Sequence, residues 1–82
     1  MPPKAREVLN GLRWREGESL ADAVLHVKDR LARGGYRVLS GGEITALGRK
    51  TFDTAGATIP YYKIDRIEYR GRVVFERRVG EG

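Results

Sequence analysis

Residues 57–78 constrain the fold of this 82-residue chain more than any other stretch. Two β-prone runs flank a tight turn there. In the run Ile64 to Tyr69, Ile67 and Tyr69 alternate with Arg66 and Glu68, the period-two pattern of a half-buried strand. The run Arg72 to Arg77 predicts Val73 and Phe75 on one face and Val74 on the other. Between them, Gly71 supplies the positive φ that a two-residue hairpin loop needs, with Arg70 beside it as a less usual partner. Pro60 has no N–H to donate and biases Ile59 to extended backbone, so it marks a bend before the hairpin, not the middle of a strand. Ile59, Ile64, Ile67, Tyr69 and Phe75 are the apolar surface that the rest of the chain must cover.

Upstream, Ala5, Val8, Leu9 and Leu12 recur at i, i+3, i+4 and i+7, predicting an amphipathic helix from about Lys4 to Arg13. Pro2 and Pro3 are expected to keep the backbone before it extended. Trp14 is expected to plug the edge of the core, the alternative being an exposed ring that stacks a base. Residues 20–31 read two ways. Leu20, Val24, Val27 and Leu31 stand at helical spacing behind a cap-like Ser19–Asp22, yet Ala23 to Lys28 is also a plausible strand. The break at Gly34-Gly35 leads to a short strand, Tyr36 to Leu39. Ser40 and Glu43 have capping-box spacing, predicting a helical turn through Ile44 to Leu47 that ends at Gly48. Thr51 to Asp53 is a strand candidate that Thr54-Ala55-Gly56 turns back into Ala57-Thr58-Ile59. Val79 to Gly82 are expected to fray. The sum is α+β: one domain, 1–82, with an N-terminal helix (about 4–13) on a small, mainly antiparallel sheet ending in a β-hairpin (about 64–78).

Composition narrows the chemistry. With no cysteine, the chain has no disulfide and no thiolate for metal binding or nucleophilic attack, which suits a reducing, cytoplasmic setting. No apolar run approaches the roughly 20 residues of a spanning helix, so no membrane role is expected. The one histidine, His26, and the scattered Asp22, Asp29, Asp53 and Asp65 have no metal-site spacing. Ser19 and Ser40 lie in apparent caps, and neither glycine pair has phosphate-loop spacing. A binding module is favoured over an enzyme, with no cofactor and no metal expected. Sixteen Lys and Arg face eleven Asp and Glu, a net charge of +5, and twelve of the sixteen are Arg. Arg forks match phosphates and stack on bases, so a polyanion partner is expected. The competing account is a solvated, ion-paired surface of a heat-adapted protein.

The position of these charges favours nucleic acid. Tyr61, Tyr62 and Lys63 follow the Pro60 bend, and Arg66, Arg70, Arg72, Arg77 and Arg78 follow within the hairpin. Basic residues interleaved with aromatics suit single strands: cations track phosphates while rings stack bases. Against this, the same Arg residues have Asp65, Glu68 and Glu76 as local ion-pair partners, and the two tyrosines could pack over the sheet end.

The run Ile59-Pro60-Tyr61-Tyr62-Lys63-Ile64, followed by Arg70-Gly71-Arg72-Val73-Val74-Phe75-Glu76-Arg77, resembles the signature of the RNA cyclic-group end-recognition domain family, a small, largely archaeal family of uncharacterised conserved proteins. Ala5-Arg6-Glu7-Val8-Leu9-Asn10, Leu12-Arg13-Trp14 and Gly42-Glu43-Ile44 extend the resemblance over nearly the whole chain. The family pattern is Ile-Pro-aromatic-His-Arg-Ile, a Gly-containing turn, and Val-Val-Trp-x-Arg. The resemblance implies binding of RNA 3′ ends that carry a cyclic phosphate, in RNA processing or repair, alongside RNA-processing proteins. It also implies an extended segment near residues 23–28. This chain departs from the pattern in having Tyr62-Lys63 and Asp29-Arg30 where the family has His-Arg pairs, and Phe75 in place of Trp. Tyr62 can still donate a hydrogen bond, and Lys63 can neutralise phosphate as a point charge.

The expected RNA-binding residues are therefore Arg30, Tyr61, Tyr62, Lys63, Arg66 and Arg72. Arg30 and Lys63 hold the terminal phosphate, a tyrosine stacks the last base, and Arg66 and Arg72 track the backbone. Two rivals stand beside this reading: an RNA-end phosphodiesterase using His26, and a protein-interaction subunit whose hairpin edge pairs with a partner strand.

Overall fold

The computed structural model describes residues 4–77. The expectations for Pro2, Pro3, Arg78 and Val79 to Gly82 lie outside the described residues.

The N-terminal pattern forms helix α1, Ala5–Trp14, which buries Ala5, Leu9 and Leu12. The helix ends where Arg15 turns extended and its N–H bonds the Gly11 carbonyl. Trp14 does not plug the core: it is 76% exposed, with the Arg13 guanidinium 5.2 Å from its ring centroid. The reason is helical phase. At about 100° per residue, Trp14 stands roughly 200° around the helix from Leu12 and faces away from the buried stripe.

Residues 20–31 resolve as a single turn of 3-10 helix, Leu20–Asp22, followed by strand β1, Ala23–Lys28. Ala23, Leu25 and Val27 are buried, while Val24, His26 and Lys28 face outward. Tertiary pairing decides against the helix, because β1 is a central strand bonded on both sides. The helical spacing has no face to bury, and Leu31 is 97% exposed. Ser19 makes no side-chain cap; its N–H donates to the Tyr69 hydroxyl at 2.9 Å.

Among the described residues, seven strands divide into two antiparallel sheets. The larger combines β1 with β2 (Tyr36–Ser40), β6 (Ile64–Tyr69) and β7 (Arg72–Glu76) in the order β2-β1-β6-β7. The smaller is β3 (Ile44–Leu47), β4 (Thr51–Thr54) and β5 (Thr58–Pro60), in sequence order. The Ser40–Glu43 capping box is present: the Gly42 N–H donates to Ser40 Oγ, and the Ser40 N–H to Glu43 Oε2. It caps only one 3-10 turn, Gly41–Glu43, and Ile44–Leu47 is a strand, not the expected helical turn. Pairing of Ile44 with Thr54 and Leu47 with Phe52 outweighs a local signal that stabilises one turn but not its propagation.

Pro60 ends β5, and a 3-10 turn, Tyr61–Lys63, redirects the chain into β6. In β6, Val27 faces Ile64 and His26 faces Arg66, so Asp65 is an extra residue in the ladder. That bulge lets Ile64 and Ile67, three apart, both point inward, and both are fully buried. A second irregularity corrects the expected faces of β7. Phe75 faces Ile67 and Val73 faces Glu68, leaving Val74 as the extra residue. Cross-strand partners share a face, so Val73 and Phe75 lie on opposite sides. Phe75 packs against the core, whereas Val73 is 53% exposed. The hairpin closes through Arg70 (φ 50°) and Gly71 (φ 83°), both at positive φ as a type I′ loop requires. Arg70 is held there by Asp22, at 3.0–3.1 Å, and by the face of Tyr69.

One contiguous core results, with Phe52, Leu9, Leu25, Ile64 and Ile67 most deeply buried. Among the described residues, no helix is long and apolar enough to cross a membrane.

Candidate nucleic-acid interface

The turn after β1 and the turn before β6 meet at one end of the larger sheet. They enclose an open cavity of ≈ 580 Å³ lined by Lys28, Asp29, Arg30, Gly35, Tyr36, Tyr62 and Lys63. Hydrogen bonds set the first turn. The Asp29 N–H donates to the Gly35 carbonyl, the Gly35 N–H to the Ala32 carbonyl, and the Leu31 N–H to Asp29 Oδ1 at 2.9 Å. This closure needs φ of 80° at both Gly34 and Gly35, which glycine adopts without strain. Asp29 therefore shapes the loop that carries Arg30. A second, smaller groove of ≈ 340 Å³ shares Lys28, Arg30 and Lys63 and adds Arg37.

The two consecutive tyrosines have separate roles. Tyr61 is 8% exposed, its ring 5.6 Å from that of Phe52, and its hydroxyl donates to the Gly48 carbonyl at 2.8 Å. Burial pushes its phenol above the usual value, with the nearby Arg6 charge opposing. Tyr62 is 68% exposed. Its ring is exposed, and Tyr36, 44% exposed, lines the same cavity.

On the other side of Tyr62 lies a larger groove, ≈ 810 Å³. Lys4 and Arg6 from the start of α1, Arg49 and Lys50 from the β3–β4 turn, and Arg77 after β7 line it, with Glu7 as the one carboxylate. Arg6 Nε donates to the Gly48 carbonyl, and Arg77 donates to the carbonyls of Ile64 and Tyr61. These bonds to neutral acceptors fix both guanidinium groups without cancelling their charge.

Of the expected site residues, Arg30, Tyr62 and Lys63 share the 580 Å³ cavity. Tyr61 presents part of its ring to the larger groove but is built into the core. Arg66 lies on the outward face of β6, opposite His26, held by Glu76 at 3.1 Å and Glu68 at 3.7 Å. Arg72 pairs with Tyr69, which pairs with Ala23 at the far end of β1, about 16 Å along the strand from Lys28. Neither Arg66 nor Arg72 lines any of the three grooves. The ion-paired account of the hairpin thus applies to Arg66, and Arg70 pairs with Asp22. By contrast, Lys4, Lys28, Arg30, Arg49, Lys50 and Lys63 have no described carboxylate within 4.0 Å.

Sequence reasoning overlooked Lys4, Arg6, Lys28, Tyr36, Arg49 and Lys50. The adjacent Arg49-Lys50 between Gly48 and a strand was the visible signal: paired cations in a turn have no buried face to serve. His26 lines none of the three grooves, and its ring contacts Glu68 at 3.4 Å. Among the described residues, no group of three or more His, Cys, Asp or Glu side chains converges to hold a metal ion.

No curated protein and no solved structure gives a significant match to this chain. Residues 2–77 match the family described as the MJ1316 RNA cyclic group end recognition domain, and with nearly its whole length matched the chain belongs to that family.

Proposed function

We propose that the domain binds single-stranded RNA at a 3′ end carrying a cyclic phosphate and serves RNA processing or repair in the cytoplasm, alongside processing proteins. Arg30 and Lys63 hold the terminal phosphate, Lys28 adds a third positive charge, and Tyr62 stacks the last base. The observation that carries the reading is convergence. Asp29-Arg30 and Tyr62-Lys63 are far apart in sequence, and both pairs line one cavity containing three cations against one carboxylate. That cavity opens beside an exposed aromatic ring, the combination that captures an unpaired, phosphorylated nucleotide.

The test is the double variant Arg30→Ala/Lys63→Ala, titrated with an oligonucleotide ending in a 2′,3′-cyclic phosphate. Each charge-assisted contact in this open cavity contributes about 1 kcal/mol, so affinity falls by about 30-fold. Unchanged affinity would overturn the assignment of this cavity. A second reading rests on the outer sheet face and its edges. Val38 and Val73, on edge strands β2 and β7, are 60% and 53% exposed. Partner docking there predicts an association insensitive to salt and untouched by the double variant.

A further inference from the structure

We infer that the 810 Å³ groove between α1 and the β3–β4 turn is a second RNA subsite. It carries the sugar–phosphate backbone that leads up to the bound end, so that the strand passes over Tyr62 from one cavity into the other. This rests on the proposed reading of the domain as an RNA-end binder and specifies where the rest of the strand lies. The sequence alone assigns the upstream backbone to Arg66 and Arg72, which line neither cavity.

Three features carry the inference. The groove gathers five cations, Lys4, Arg6, Arg49, Lys50 and Arg77, against the single carboxylate of Glu7. A groove of one sign concentrates a polyanion. Second, four of the described acids neutralise cations elsewhere. Glu76 and Glu68 engage Arg66, Asp22 engages Arg70, and Glu18 engages Arg15. None of the five groove cations has a described carboxylate within 4.0 Å. Arg6 and Arg77 are already oriented by backbone carbonyls, which lowers the entropy lost when they meet a phosphate. Third, the two cavities adjoin at one residue. Tyr62 lines both, and Pro60, Tyr61 and Phe75 give the groove an apolar floor for bases. A strand whose last base stacks on Tyr62 has its next phosphates at the mouth of the groove.

The experiment compares a dinucleotide and a hexanucleotide with the same 3′ terminus, binding to the unaltered domain and to Arg49→Ala/Lys50→Ala. The Tyr61 N–H bonds the Lys50 backbone carbonyl, not its side chain, so the truncations leave that bond intact. Circular dichroism checks folding, and Arg49→Gln/Lys50→Gln serves as a second, bulk-retaining variant. Arg13→Ala/Arg15→Ala removes the same charge outside both cavities. The expected result has four parts. The hexanucleotide binds more tightly than the dinucleotide. Either groove variant lowers hexanucleotide affinity about tenfold and removes most of that advantage. The log–log salt slope loses about 1.4, or 0.7 for each of two phosphates. The Arg13/Arg15 control does not reproduce the loss. A length advantage that survives in the groove variants, or an equal loss in the control, overturns the subsite while leaving the end-binding reading intact. Absence of RNA binding at both lengths overturns both.

Discussion

Tyr61 and Tyr62 are adjacent, chemically identical and separable by experiment. Tyr62→Ala removes a ring that is 68% exposed, so stability changes by no more than about 0.5 kcal/mol. If that ring stacks the terminal base, RNA affinity falls by about 1–3 kcal/mol, roughly 5- to 150-fold. Tyr62→Phe keeps the π-face and retains most of the affinity. Tyr61→Ala does the reverse. It empties a core position packed on Phe52 and removes the bond to the Gly48 carbonyl, costing about 3–5 kcal/mol of stability. Urea denaturation and fluorescence anisotropy with a labelled oligonucleotide separate the two effects. Wild-type affinity in a folded Tyr62→Ala domain refutes the stacking role. A marked loss of stability in the same variant refutes the distinction between the two residues.

Tyr61→Phe loses one buried hydrogen bond and about 0.5–1.5 kcal/mol. Because burial raises the Tyr61 phenol pKa above 10.0, its neutral form stabilises the fold below that pH, and the contribution is lost as pH climbs through the folded value. Alkaline denaturation curves therefore fall less steeply for Tyr61→Phe than for the unaltered domain. Gly41→Ala places a Cβ against the Leu20 carbonyl oxygen and forces backbone to move, so its urea midpoint drops sharply, whereas Gly56→Ala, in open space, leaves the midpoint near wild type. A double-mutant cycle on Arg70 and Asp22, both about half exposed, yields a coupling of about 0.2–1 kcal/mol that shrinks with added salt.

Local chemistry was legible where one residue type had a single conformational outlet. Gly71 in the hairpin loop, Pro60 at the bend and the Ala5–Leu9–Leu12 stripe behave as their sequence contexts predict, and Ser40 with Glu43 forms the capping box without the helical turn expected beyond it. What was hidden depended on long-range pairing. The bulges at Asp65 and Val74 break the period-two pattern, so counting along β7 puts Val73 and Phe75 on one face while the ladder puts them on opposite faces. Ile44–Leu47 is a strand because β4 lies beside it, which no residue within that segment announces. Trp14 is exposed because helical phase, not apolar bulk, sets which side of α1 a residue faces.

The candidate site divides along the same line. Arg30, Tyr62 and Lys63 were identified in sequence, and the fold brings all three to one cavity. The larger groove draws Lys4 and Arg6, Arg49 and Lys50, and Arg77 from three separate places in the chain. No spacing rule links such residues. For the hairpin arginines the sequence offers two readings, RNA contact beside Tyr61 and Tyr62 or ion pairing with Glu68 and Glu76; the fold pairs Arg66 with both glutamates and adds Asp22, remote in sequence, against Arg70.

The most direct measurement is the affinity of the unaltered domain for short single-stranded RNAs that differ only at the 3′ end: hydroxyl, linear phosphate and 2′,3′-cyclic phosphate, each at low and moderate salt. The account predicts tightest binding to the cyclic end, with all three weakening as salt rises. Equal affinity for the three ends contradicts end recognition and leaves a generic RNA binder; no binding at low salt contradicts the RNA reading altogether.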